Sequence, residues 1–78
     1  MTTLEYFLSD VASEVARAEA QHKPLNSAHE AYAVILEELE EFKAEVFKKA
    51  QWRDRTQMRL ELIQLAAMCA RAVKDLEL

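Results

Sequence analysis

Glu37-Glu38-Leu39-Glu40-Glu41 follows the stretch His29-Glu30-Ala31-Tyr32-Ala33-Val34-Ile35-Leu36 and precedes Phe42-Lys43-Ala44-Glu45-Val46. Ile35, Leu39, Phe42 and Val46 recur at steps of four, three and four, the mark of an apolar helical stripe. At about 100° per residue, Glu38, Glu41 and Glu45 fall on one flank of that stripe, with Glu37 a little further round. A row of carboxylates beside a packed seam repels itself unless something cationic sits against it. A divalent metal would serve, and so would Lys or Arg from another helix; a solvated acidic face is the plain alternative.

Outward from this stretch, the chain divides at three capping signals. Thr2-x-x-Glu5 opens a first helix whose buried face is expected to be Leu4, Phe7, Leu8, Val11, Val15 and Ala18, with Glu14, Arg17 and Glu19 facing out. Pro24 stops it near Gln21 or His22, because the residue before a proline avoids the helical region. Ser27-x-x-Glu30 opens the central helix, predicted from Ala28 to about Ala50. Gln51 to Arg53 breaks the pattern, and Asp54-x-x-Gln57 starts a third helix to about Leu76. The expected fold is all-α, with three main helices in a single domain over residues 1–78.

The third helix is apolar on two sides. Met58, Leu62, Leu65, Ala66, Cys69, Val73 and Leu76 make one stripe; Leu60, Ile63, Ala67 and Ala70 make another. A helix apolar this far round needs cover on both sides. A chain of 78 residues is marginal as a single copy without staples, and the lone Cys69 offers no disulfide. A homodimer or higher homo-oligomer forming a helical bundle is therefore expected, with Ile63 and Ala67 at the face between subunits.

Composition removes several function classes. Glycine is absent and proline occurs once, so there is no glycine-rich phosphate loop. A net charge of −4 does not suit a nucleic acid polymer, which needs a cationic surface. Met1 to Leu8 has neither a basic nor an apolar leader region, and no apolar run approaches a membrane span. A soluble, cytoplasmic protein with no membrane partner is expected.

Glu61, Gln64 and Met68 flank the first stripe of the third helix as Glu38 and Glu41 flank theirs. If the second and third helices pack antiparallel, Glu37, Glu38, Glu41 and Glu61 converge in one acidic cleft. Such oxygen-rich sites suit Mg²⁺ or Mn²⁺. The other polar residues have plainer roles: surface or capping positions for His22 and His29, a helix–helix turn for Trp52 with Arg53 and Arg55, a helix C-terminus for Lys48 and Lys49, and a core position for Cys69.

Glu37-Glu38-x-x-Glu41 on one helix and Glu61-Leu62-Ile63-Gln64 on the next resemble the two-part EExxE…ExxD pattern of the MazG-like all-α nucleoside triphosphate pyrophosphatases. The flanking text, HEAYAVILEELEEF and RLELIQLAAMCARAVKDL, is similar to small members of that family, and the resemblance spans about Ser27 to Leu76. It implies Mg²⁺-dependent hydrolysis of a nucleoside triphosphate to the monophosphate and pyrophosphate. Glu37, Glu38, Glu41 and Glu61 would be its ligands or bases. Gln64 stands where the family has Asp; its amide oxygen can ligate a hard cation but brings no charge and cannot act as a base. The alternatives are a degenerate relative that binds nucleotide or a protein partner without turnover, and a plain helical interaction module.

Overall fold

A computed structural model describes residues 1–78. It has three α-helices and no strand: α1 at Thr3–Gln21, α2 at Ala28–Val46 and α3 at Arg55–Asp75, with one 3₁₀ turn at Ala50–Trp52. All three helix starts fall at the capping residues. The Thr2 hydroxyl accepts from the Glu5 amide at 3.1 Å, and the Glu5 carboxylate accepts in return from the Thr2 amide at 3.0 Å. Ser27 Oγ and Asp54 Oδ1 accept from the amides of Glu30 and Gln57, each at 3.1 Å. Each bond satisfies an amide that a helix start leaves free. At the other end of α1 the backbone turns extended at His22, two residues before Pro24.

The end of α2 differs from expectation. The helix stops at Val46, not near Ala50. Its last turn is diverted by Glu45, whose carboxylate accepts from Lys48 Nζ at 2.7 Å and from the Asp54 amide at 2.6 Å. Arg53 Nε donates to the Val46 carbonyl at 2.8 Å, satisfying an acceptor at the helix end. Glu45 is thus a buried staple across the α2–α3 connection, and not a member of the acidic flank. Lys48 neutralises it, and the two hydrogen bonds hold its carboxyl below the usual range.

α3 is the hub, packed against both α2 and α1. Leu25, Ala31 and Ala72 form a small core with Val34, Ile35 and Leu76 against it. Ala67 is fully buried, and Ile63 lies beside it, inside the chain. This corrects the expected subunit face: Ile63 and Ala67 already have intramolecular cover. At about 100° per residue, the inward arc of α3 runs from Ile63 through Ala67, Gln64 and Arg71 to Glu61 and Ala72. The other stripe stays open along Leu62, Cys69 and Val73, so Cys69 is exposed and not a core residue. On α1, only Ala18 is buried; Leu4 and Leu8, expected inside, are exposed. No helix is long and apolar enough to cross a membrane.

Candidate functional site

α2 and α3 bring their polar flanks together. Glu38, Glu41 and Glu61 each offer a carboxylate oxygen, and the three oxygens lie within 4.8 Å of one another. Glu61 is buried, Glu38 half-buried and Glu41 exposed. One oxygen of Glu61 accepts from Gln57 Nε2 at 2.6 Å, one turn earlier on α3. Its other oxygen, Oε2, is buried without a partner, and so is Oε2 of Glu38. Buried carboxylate oxygens are ordinarily paired.

The electrostatics follow from this crowding. Burial, followed by the charges of Glu41, Glu61 and Glu37, pushes the Glu38 carboxyl up to about 7. Glu41 is raised as well, first by the hydrogen bond it shares with Glu61, then by burial and the Glu61 charge. Like charges this close disfavour joint ionisation, so the cluster either keeps a proton or takes a cation. Chemically it fits a hard divalent ion: all donors are oxygens, and two buried lone-pair sites are unanswered.

Beside the cluster opens a cavity of about 450 Å³ between the three helices. Glu37, Glu38, Glu41 and Gln64 line one part of it. Glu37 is therefore on the wall of the same cavity but outside the close trio, and Gln64 lines that wall too. Glu61, the buried member of the trio, is not among the lining residues.

The far part of the cavity is lined by Arg17, His22, Lys23 and Arg71. Arg17 is engaged by Glu14 at 2.7 Å and Gln21 at 2.8 Å. Arg71 is deeply buried, against the expectation that a charged residue late in a helix faces solvent. The usable signal was Arg71-x-x-x-Asp75, an oppositely charged pair one turn apart between Ala67 and Leu76, two residues of the packed face. His29 is exposed, as expected. Trp52 closes the α2–α3 connection, 65% exposed, with Lys49 Nζ 5.4 Å from its ring centre. Set against known proteins, the chain matches no family model, no curated protein and no solved structure.

Proposed function

We propose that the protein is a MazG-like nucleoside triphosphate pyrophosphohydrolase that uses Mg²⁺ or Mn²⁺. The observation that carries this reading is the meeting of Glu38, Glu41 and Glu61 within 4.8 Å, with two buried oxygens unpartnered. It is the arrangement that the EExxE and ExxQ resemblance leads one to expect, on two helices that pack together.

Glu38, Glu41 and Glu61 would hold the cation, with the Gln64 amide oxygen available from the cavity wall. Bound there, a divalent ion neutralises phosphate charge and acts as a Lewis acid. The chain's own contributions are positional. The cavity of about 450 Å³ would accommodate the nucleotide. Glu37, on the wall but outside the trio, would take the proton of the attacking water in this reading. Water adds to the phosphorus and the bond to the pyrophosphate group breaks, giving monophosphate and pyrophosphate.

A second copy of the chain would cover the open apolar positions. Leu4 and Leu8 on α1 are 63% and 54% exposed, and Val73 on α3 is 52% exposed. Only 10 of 78 residues are buried in one copy, so assembly is the available source of further burial.

Gln64 favours a second reading, binding without turnover, because an amide supplies neither charge nor base. Phosphorus NMR of a triphosphate incubated with protein and Mg²⁺ separates the two. Monophosphate and pyrophosphate, lost on Glu38→Gln, support the enzyme. Bound but unchanged triphosphate supports the second reading, and diphosphate with free phosphate overturns the proposed bond cleavage.

A further inference from the structure

Arg71 lines the cavity beside the acidic cluster, ten residues along α3 from Glu61, about 15 Å at the rise of an α-helix. Arg71 is 3% exposed. Its Nη2 donates to the Lys23 carbonyl at 3.1 Å and lies 4.0 Å from Asp75 Oδ2. Asp75 in turn accepts from the Leu25 amide at 2.9 Å. Through these bonds the guanidinium is fixed against the α1–α2 connection, so its plane is set before any ligand arrives.

What the guanidinium does not contact is as informative. Nη1 has only the thioether of Met68, at 3.7 Å, and Nε has no partner. A guanidinium carries five N–H donors and no acceptor. Burying such donors without oxygen or nitrogen partners is unfavourable. Ala18, Leu25, Val34 and Met68 supply the apolar part of a cavity lining that is otherwise polar or charged, a surface on which a flat ring can pack beside polar contacts.

We infer that Arg71 reads the base of the bound nucleotide and selects an edge with two adjacent acceptors, such as O6 and N7 of guanine. This rests on the nucleotide reading above: with the triphosphate beside Glu38 and Glu41, the base extends towards Arg71. Arginine pairs with O6 and N7 through two donors at once, whereas adenine places its N6 amino donor beside N7 and opposes one of them. Guanine nucleotides are therefore preferred over adenine nucleotides.

The test is calorimetric binding of α,β-imido dGTP and α,β-imido dATP to the full chain in Mg²⁺, repeated for Arg71→Lys. The wild-type protein should bind the guanine analogue roughly tenfold or more tighter. In Arg71→Lys the difference should shrink to within about threefold, while Mg²⁺ binding and helical content stay as in the wild type. Equal affinities in the wild-type protein need no variant to interpret, and they overturn base reading while leaving the pyrophosphohydrolase reading intact. So does a preference that survives Arg71→Lys. Tripolyphosphate is the control for charge: if Arg71→Lys weakens it as much as the guanine analogue, Arg71 contacts phosphate and the proposal fails. If Mg²⁺ binds but neither analogue does, the nucleotide reading fails and base reading falls with it.

Discussion

Glu38 on α2 and Glu61 on α3 face each other within 4.8 Å, and each keeps one buried oxygen without a hydrogen-bond partner. Two carboxylates from different helices do not reach this position through local sequence; the packing of α2 on α3 brings them there. Without a cation, their repulsion works against the interface that creates them. Replacing Glu38 by Gln should therefore stabilise the metal-free protein at pH 8, by about 1–2 kcal/mol after allowance for solvent screening. The same change should reduce the rise in melting temperature given by added Mg²⁺, which depends on binding the folded state alone. Thermal melts with and without Mg²⁺ check both. Unchanged metal-free stability together with an unchanged Mg²⁺ response would contradict the cluster's electrostatics.

The pH dependence has a definite sign. Glu38 is raised from 4.5 to about 7 in the folded protein. Between those values the folded state binds more protons than the unfolded state, so this group's contribution makes stability fall as pH rises. Below 4.5 both states hold the proton and the penalty is absent; above about 7 it is complete. Glu41, shifted in the same direction, adds to it. Metal-free protein should melt lower at pH 8 than at pH 5.5, and Glu38→Gln should flatten that slope. A wild-type slope no steeper than the variant's would count against the account.

Glu45 behaves in the opposite way, because its carboxyl is lowered by Lys48 and the Asp54 amide. Its stabilisation is present above the ordinary glutamate range and lost as pH falls through its lowered value. Glu45→Gln should lower the melting temperature at pH 7 while leaving Mg²⁺ affinity within about twofold, since the residue is outside the cluster. Loss of Mg²⁺ binding in this variant would show that the α2–α3 connection and the cluster are not separable.

The two sides of α3 should respond differently to charge. Ala67 is fully buried, so Ala67→Asp should cost more than about 3 kcal/mol or prevent folding, as an unpaired charge inside a small core does. Val73→Glu, on the open stripe, should leave the helical signal intact and shift sedimentation towards monomer. A wild-type protein that sediments as a stable monomer would remove the assembly from the account.

How far the sequence carried these features can be judged from particular residues. Thr2, Ser27 and Asp54 announced every helix start because capping is local chemistry, decided within four residues. Glu38, Glu41 and Glu61 could be placed together because helical spacing and antiparallel packing are both regular. The end of α2 was hidden: Phe47 to Ala50 contains no Gly or Pro, and the stop comes from Glu45 reaching the Asp54 amide nine residues on. The inward arc of α3 was also hidden. Hydrophobic periodicity pointed to its two apolar stripes, while the packed arc passes through Gln64 and Arg71. Polar residues turned inward towards a cavity leave no hydrophobic signal.

Gln64 gives a test of how incomplete the donor set is. Gln64→Asp adds a carboxylate to the cavity wall that Glu37, Glu38 and Glu41 also line. It should tighten Mg²⁺ binding by roughly tenfold, a gain of about 1.4 kcal/mol, and should lower metal-free stability by adding like charge. Calorimetry and melting of the same sample read both effects. Tighter binding without any loss of metal-free stability would mean that the introduced carboxylate does not share the cluster's field.

The most direct measurement is calorimetric titration of Mg²⁺ and Mn²⁺ into the wild-type protein and Glu61→Gln at pH 8. Glu61 is buried, belongs to the trio and adds nothing to the exposed acidic surface, so its removal isolates the cluster. The account predicts saturable binding by the wild-type protein, weakened at least tenfold in Glu61→Gln with the helices intact. Absence of binding in the wild-type protein, or the same affinity in both proteins, would contradict it.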